Sequence, residues 1–189
     1  MTAGTLAIEV ATRDDLSEVD ALLARAYPAL LKPDYPPSVM VLALPLIARA
    51  NPRLFACGTY YVARRDGEIV GAGGWTPSAR AGPHVRPRVG DVRHVVTDQR
   101  HTRRGIGRAL MARAFETAAA AGITRLEAQA TRTAVPFYRA LGFTVLRPTE
   151  VPLRPGIVFP AVIMVRSLRD FPSAGPVPTG GPPLRPGST

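Results

Sequence analysis

A strand that runs into a glycine- and arginine-rich helix start constrains this fold more than any other feature of the sequence. Asp91–Thr97 reads as a strand, and a short polar loop joins it to a helical pattern over Gly105–Ala121. Upstream, two strand-like runs flank Asp66-Gly67, a pair typical of tight hairpin turns because both central residues need positive φ. A hairpin followed by a strand–helix–strand crossover predicts a mixed α/β sheet.

The other elements follow from apolar periodicity and from glycine and proline positions. Thr12 and Asp15 form a capping-box pattern before an amphipathic helix over 13–26, and prolines separate it from a helix over Ser38–Arg49. Gly122 is expected to end the long helix. The predicted strands are Leu6–Val10, Gly58–Arg65, Glu68–Trp75, Asp91–Thr97, Leu126–Ala130, Phe143–Leu153 and Ile157–Arg166, with a loop over Thr76–Arg88 and a short helix over Ala134–Leu141.

One domain over residues 6–168 suits a chain of 189 residues. Residues 169–189 are mostly Pro, Gly, Ser and Thr, and we expect them to be disordered because they bury too little apolar surface. The single cysteine, Cys57, excludes a disulfide framework and a cysteine metal site, so we expect no metal. The apolar run Val39–Ala50 contains Pro45 and is too short to span a bilayer. With no secretory pattern at the start, these features predict a cytoplasmic protein with no membrane partner.

The charge balance predicts an anionic ligand. The chain has 24 basic and 14 acidic residues, a net charge of +10. Nucleic acid is one candidate ligand for such a surface. However, Lys32 is the only lysine among many arginines, and no nucleic-acid-binding motif is recognisable. These observations favour a small anionic ligand and make a nucleic-acid partner a weaker hypothesis.

The helix start itself has the chemistry of a phosphate site. The first N–H groups of a helix lack intrahelical partners and lie at the positive end of its dipole. Gly105 and Gly107 leave room for a phosphate, and Arg103, Arg104 and Arg108 add charge and donors. A pyrophosphate is the ligand that this pattern favours, whereas an ordinary helix start with solvated arginines is the simpler alternative.

A dinucleotide-binding Rossmann unit is a rival interpretation of the same residues. Glu127 lies about 20 residues downstream, as that fingerprint requires. However, the third fingerprint glycine falls at Leu110, and several loop residues separate the strand from the glycines. The preceding antiparallel hairpin also argues against a Rossmann unit.

The glycine segment resembles the acetyl-CoA motif of the GNAT superfamily, Arg/Gln-x-x-Gly-x-Gly/Ala. Ala134–Phe143 resembles the family's Ala-x-x-Φ-Tyr-x-x-x-Gly-Phe helix, and the hairpin Gly58–Trp75 resembles its second and third strands. The resemblance extends from Ile8 to Leu168. It implies the GNAT fold: a mixed, mostly antiparallel sheet of six to seven strands with flanking helices and a splayed central strand pair. It also implies an N-acetyltransferase that passes the acetyl group of acetyl-CoA directly to an amine.

Carried onto this sequence, the resemblance implies a cofactor site around the strand end and the helix start. The backbone N–H of Val95 would bind the thioester oxygen, and Val95 and Thr97 would pair with the pantetheine arm. Thr102 stands where the family usually has Arg or Gln, and Thr131 where it often has Asn. The implied cofactor-binding residues are Val95, Val96, Thr97, Arg103, Arg104, Gly105, Ile106, Gly107, Arg108 and Thr131.

Three residues are candidates for proton transfer. Tyr138 matches the family's general acid, which protonates the CoA thiolate. Asp91 and His94 are candidate bases, and strand alternation places them on opposite faces unless a bulge intervenes, so at most one serves. Arg93 is a simple ion-pair partner for Asp91, and ordered water is another route for the proton. Cys57 is expected to be a small packing residue rather than an acyl carrier.

The acceptor site is expected between the first two helices and the loop after Trp75. Candidate lining residues are Asp34, Tyr35, Tyr60, Tyr61 and Trp75, although core packing explains such aromatics equally well. A small-molecule amine and a peptide or protein amine both stay open as acceptors. A homodimer is a further expectation of the resemblance. A non-catalytic acetyl-CoA sensor and a basic nucleic-acid-binding protein are the alternative functions.

Overall fold

A seven-stranded mixed sheet forms the centre of the computed structural model, which describes residues 5–78 and 88–169. The strand order is β1-β2-β3-β4-β5-β7-β6, and every neighbouring pair is antiparallel except β4–β5. The predicted mixed, mostly antiparallel sheet is thereby confirmed. The strands are β1 (Leu6–Val10), β2 (Tyr60–Arg65), β3 (Glu68–Pro77), β4 (Val89–Thr97), β5 (Arg125–Ala130), β6 (Thr144–Arg154) and β7 (Ile157–Ser167).

Two helices pack on each face of this sheet. Side chains alternate along β2, so Tyr60 packs in a cluster with the first helix, whereas Tyr61 packs with the third. The second helix packs with Phe159 of β7 on the first helix's face, and the fourth joins the third on the other. The helices are α1 (Leu16–Leu31), α2 (Pro37–Ile47), α3 (Ile106–Ala120) and α4 (Val135–Ala140).

The first helix is longer than its sequence pattern predicts. The prediction that it ends at residue 26 was wrong, because α1 continues through Pro28 to Leu31. Proline removes the hydrogen bond to the carbonyl four residues earlier, that of Ala24. Ala24 is exposed, so water can satisfy this carbonyl, and the last turn is retained because Leu31 is buried against α2 and β7.

Local turn and cap predictions are confirmed in two places. The N–H of Thr12 donates to the Asp15 carboxylate at 2.7 Å, which completes the capping box. Asp66 and Gly67 have φ of 51° and 84°, as the tight turn between β2 and β3 requires. The predicted loop after Trp75 begins later, since β3 extends to Pro77. Residues 79–87 of that loop, and the tail from residue 170, lie outside the described residues.

The stretch Pro37–Ala56 is long and apolar enough, by composition alone, to cross a membrane. In the fold this stretch is divided, because α2 ends at Ile47 and a separate 3₁₀ turn covers Pro52–Ala56. The 11 residues of α2 extend only about 16 Å, short of the ~30 Å hydrocarbon core. Val41 and Leu42 are nevertheless 72% and 54% exposed on this helix.

Candidate active site

A gap between β4 and β5 interrupts the sheet. Their parallel pairing is limited to three residue pairs and ends at Asp91↔Glu127. Beyond that point β4 stays paired with β3, and β5 stays paired with β7 as far as Ala130↔Val162. The two central strands therefore diverge towards their carboxyl ends, which is the splayed strand pair that the GNAT resemblance implies.

A β-bulge lies in β4 where it borders the gap. Arg93 pairs with Gly74 and Val96 pairs with Ala72, so His94 and Val95 together oppose Gly73. His94 has a φ of +40°, in the left-handed region. A Cβ added to Gly73 would lie 3.0 Å from Cγ2 and 3.2 Å from Cα of Val95, so only glycine leaves this bulge undisturbed.

A cleft of about 1000 Å³ passes through the gap from one face of the sheet to the other. We call its two ends the α3–α4 mouth and the α1–α2 mouth. The first is lined by Thr102, Arg103, Gly105, Ile106, Gly107, Arg108, Thr131, Thr133, Ala134, Pro136, Phe137, Tyr138, Ala140 and Leu141. The second is lined by Tyr27, Leu30, Leu31, Leu46, Ile47, Val151, Leu153, Phe159 and Ala161. Val92–Thr97 of β4 border the passage between them.

The start of α3 presents unused donors to the α3–α4 mouth. Gly105 caps the helix with a φ of +79°, and its carbonyl accepts the first helical hydrogen bond, from the N–H of Ala109. Among the described residues, the N–H groups of Ile106, Gly107 and Arg108 have no hydrogen-bond partner. Such a helix start favours an anion.

Buried Asp98 holds the loop that leads to this helix. Its carboxylate accepts from the backbone N–H of Arg100 at 2.9 Å and pairs with the guanidinium groups of Arg100 and Arg25. These hydrogen bonds, those of Arg100 above all, hold the Asp98 pKa well below its usual range. Within the described ranges, neither Arg103 nor Arg108 has an ion-pair partner. Both therefore keep their charge available at the mouth.

Gly107 has a role in packing that its motif did not reveal. A Cβ at this position would lie 3.0 Å from the Phe137 ring and 3.5 Å from Oγ1 of Thr97. The predicted role of this glycine, to leave room for a phosphate, does not account for these contacts. Gly107 also lets α3 approach α4 and the end of β4.

The remaining predicted cofactor residues divide into two groups. Val95, Val96, Thr97 and Ile106 line the cleft, whereas Arg104 is exposed and does not. Thr131 also lines the cleft, and its Oγ1 accepts from the Ala134 N–H at 3.2 Å. That oxygen caps a short turn and keeps its own hydroxyl proton for a ligand.

Thr133 is a cleft residue that sequence reasoning missed. Its Oγ1 is buried and has no hydrogen-bond partner among the described residues. A buried hydroxyl without a partner is costly unless a ligand or water satisfies it. Only its position two residues after Thr131 could have drawn attention to it.

Tyr138 lies at the passage between the two mouths. Its ring packs edge-on against Phe137 and Phe143, and burial raises its pKa well above the ordinary tyrosine value. The hydroxyl therefore stays protonated at neutral pH. No hydrogen bond to this hydroxyl is formed within the part of the chain that the structure describes.

Tyr27 approaches the same point from the opposite face. It stands on α1 and lines the cleft, and burial raises its pKa to about 12. A negative charge on Tyr27 would raise the pKa of Tyr138 further. Sequence reasoning missed Tyr27, because its helical spacing from Leu23 and Leu30 is that of a core residue.

The structure separates the two candidate bases. Asp91 belongs to the last β4–β5 pair, does not line the cleft, and accepts a hydrogen bond from Arg93 at 3.1 Å. His94 lines the cleft, and its Nδ1 is buried with no partner in the described residues. Burial, and to a lesser degree the charge of Arg93, lowers the His94 pKa, so its imidazole is neutral at pH 7.

The predicted acceptor residues are not brought to the cleft. Tyr35 is buried, stacks on Phe159, and donates to the Pro160 carbonyl at 2.9 Å. Trp75 donates from its ring nitrogen to Thr117 at 2.9 Å in the core. Neither residue lines the cleft as expected, because the Tyr35 hydroxyl and the Trp75 ring nitrogen form their hydrogen bonds inside the protein.

Tyr60, Tyr61 and Asp34 differ from expectation in the same way. Tyr60 and Tyr61 are each 1% exposed, and Asp34 is exposed to solvent away from the cleft. The Tyr60 hydroxyl donates to the His94 carbonyl at 3.3 Å, so this residue supports the bulge from the core. Cys57 is exposed and also lies outside the cleft lining.

Residues 5–78 and 88–169 contain no cluster of three or more His, Cys, Asp or Glu side chains able to hold a metal ion. The cleft lining in these ranges also contains no Asp or Glu. The site therefore offers main-chain donors, arginine, hydroxyl groups and the imidazoles of His94 and His101.

Solved structures of similar fold are numerous. PaiA N-acetyltransferase from Thermoplasma acidophilum, solved with coenzyme A, is 14% identical, with a TM-score of 0.66 over 86% of this chain and 99% of that one. A GCN5-related N-acetyltransferase from Rhodopseudomonas palustris is 20% identical, with a TM-score of 0.68 over 88% and 98%. The ribosomal-protein-S18-alanine N-acetyltransferase from Escherichia coli is 17% identical, with a TM-score of 0.59 over 87% and 94%. At these identities the likeness shows the fold.

The family follows from the sequence match. No curated protein matches this chain at a significant level. The model of the acetyltransferase (GNAT) family, however, matches residues 21–143, which include α3, the bulged strand β4 and the α4 helix. With this match over more than half of the 189 residues, the chain belongs to the GNAT acetyltransferase family.

Proposed function

We propose that this protein transfers an acetyl group from acetyl-CoA to an amine. The observation that carries the proposal is that one cleft contains both a helix start with free N–H groups and a bulged strand. Three unpaired N–H groups at the start of α3 lie at one mouth, and the bulge at His94 and Val95 borders the passage beyond it. The first feature suits a diphosphate, and the second suits a thioester.

The residues at the α3–α4 mouth fit coenzyme A. Main-chain N–H groups at Gly107 and its neighbours, with Arg103 and Arg108, would hold the diphosphate. The unpartnered hydroxyl of Thr133 is a donor for the amide groups of the pantetheine arm. Acetyl-CoA supplies an activated acyl group, and the chain's own residues position it and move the protons.

The bulge is the part of β4 suited to the thioester oxygen. Neither His94 nor Val95 has a residue of its own opposite on β3, and β5 has already diverged. The Val95 N–H is the donor that we assign to the developing oxyanion. One such donor is worth about 3 kcal/mol in the transition state.

His94 and Tyr138 complete the proton transfers. An alkylamine has a pKa near ~10.4, so it must lose a proton before or during attack. The neutral imidazole of His94 accepts that proton as the new C–N bond forms, and the Tyr138 hydroxyl donates a proton to the sulfur as the C–S bond breaks. The two pKa shifts leave the His94 imidazole neutral and the Tyr138 hydroxyl protonated at pH 7, which are the forms that these roles require.

Release of free thiol from acetyl-CoA tests this function. The intact protein should bind CoA in calorimetry and should release thiol only when an amine is present. CoA binding without turnover on a broad amine panel would favour a sensor. A gel shift with nucleic acid at physiological salt, unaffected by CoA, would instead favour the basic-binder alternative.

A further inference from the structure

The α1–α2 mouth differs chemically from the rest of the cleft. Its lining comes from the end of α1, the end of α2 and the hairpin β6–β7, including Leu30, Leu31, Leu46, Ile47, Val151 and Phe159. None of these side chains has a polar atom, and the one polar group of this mouth is the Tyr27 hydroxyl. A ligand group entering here contacts hydrocarbon and one aromatic ring.

The position of this mouth assigns it to the acceptor. The start of α3 lies on one face of the sheet, whereas α1 and α2 lie on the other. A cofactor held at the α3 start reaches the bulge through the gap. The attacking amine must then come from beyond the bulge, which is the α1–α2 mouth.

The lack of a counter-ion at this mouth disfavours one class of amine. No side chain of the α1–α2 mouth is charged, and the described lining of the whole cleft has no carboxylate. A second ammonium group on the acceptor would be desolvated against hydrocarbon without a counter-ion. An apolar group of the same size instead gains from burial.

We infer that the acceptor is a monoamine whose body is apolar, an aliphatic or arylalkyl primary amine, and that diamines and polyamines are rejected. The inference rests on the proposed function and names the substrate class of the same site. The apolar mouth selects the body of the substrate. His94 and the bulge then receive its amino group.

A pair of isosteric amines tests this inference in the unaltered protein. Hexylamine and cadaverine have the same number of non-hydrogen atoms, and cadaverine replaces the terminal methyl with a second ammonium. We expect kcat/KM for hexylamine to exceed that for cadaverine by at least 100-fold, with phenethylamine close to hexylamine. Calorimetry of both amines with the CoA-loaded protein should show the same order.

A charge introduced at the mouth sharpens the test. Leu46→Glu supplies a carboxylate at the lining and should reduce the preference for hexylamine at least 10-fold. Leu42→Glu is the matched control, because Leu42 is 54% exposed on the same helix and lies outside the cleft lining. It should leave the preference unchanged.

Three results would overturn the inference. The first is equal or better use of cadaverine, and the second is failure of the CoA-loaded protein to bind hexylamine. The third is a preference for hexanoyl-CoA over acetyl-CoA with no dependence on amine chain length, which would assign the apolar mouth to the acyl donor. All three leave CoA affinity intact, whereas failure of the proposed function is seen as loss of that affinity or as binding without turnover of any amine.

Discussion

The two mouths of the cleft differ in chemistry and are built from different parts of the chain. The α3–α4 mouth is built around main-chain N–H groups and arginine at one helix start. The α1–α2 mouth is built from aliphatic side chains of four separate elements. The difference teaches that the polar character of one mouth comes mainly from backbone geometry, whereas the apolar character of the other comes from side-chain identity. A substitution at one mouth should therefore leave binding at the other intact.

The largest effect confined to one mouth is expected from Gly107→Glu, at the α3–α4 mouth. The new side chain would press on the Phe137 ring and place a negative charge beside the unpaired N–H groups of α3. We expect CoA affinity in calorimetry to fall by at least about 100-fold. Ala112→Glu, at an exposed position of the same helix, is the control and should bind CoA normally. Unchanged CoA affinity in Gly107→Glu would contradict the assignment of this mouth.

Between the mouths, His94→Gln should lower kcat by about 100-fold without changing CoA affinity. Protonated His94 cannot accept a proton, so wild-type kcat should decline as pH falls through the lowered His94 pKa, below about 6.5. This acidic limb should be missing from the variant. Asp91→Asn is the control with an expected change under threefold, since Asp91 pairs with Arg93 outside the lining. An acidic limb that persists in His94→Gln would refute the role of this base.

A smaller effect, about 10-fold on kcat, is expected from Tyr138→Phe. Because burial raises the Tyr138 pKa, the hydroxyl stays protonated at pH values where an ordinary tyrosine ionises. Wild-type kcat should therefore not fall between pH 8 and about 10. Tyr61→Phe removes a hydroxyl that bonds Thr117 in the core and should alter stability only. A Tyr138→Phe enzyme with full kcat would show that water protonates the thiolate.

The smallest effect tests the bulge. Gly73→Ala places a methyl 3.2 Å from the Val95 Cα and should shift this donor by a few tenths of an ångström, with kcat about fivefold lower. CoA affinity should be retained. Gly74→Ala provides the contrast, because its methyl would lie 2.2 Å from the Thr59 carbonyl oxygen, and loss of thermal stability should dominate there. Equal kcat in Gly73→Ala and wild type would argue against a Val95 donor.

The α3–α4 mouth was accessible to sequence reasoning because its parts are contiguous. Arg103, Gly105, Gly107 and Arg108 fall within six residues, and their helix position follows from local periodicity. The splayed strands were expected from the family resemblance, since no local pattern marks where β4 and β5 part. His94 and Asp91 could be separated only by the cleft lining and the Arg93 contact.

The α1–α2 mouth was not accessible in this way. Leu31, Leu46 and Phe159 are far apart in sequence, and each reads as an ordinary core residue. The aromatic residues predicted to line the acceptor site, Tyr35 and Trp75, instead form their polar hydrogen bonds inside the fold. Conversely, α1 continues through Pro28 where Ala24, four residues earlier, is exposed, and periodicity does not report this feature.

The most direct test of the account is a crystal structure of the protein with acetyl-CoA. The diphosphate should lie within hydrogen-bond distance of the N–H groups of Gly107 and Arg108, with the thioester oxygen at the Val95 N–H. The carbonyl carbon of the acetyl group should face the gap, where an amine held at the α1–α2 mouth can reach it. A diphosphate bound elsewhere, or an acetyl group that does not reach the β4 bulge, would contradict it.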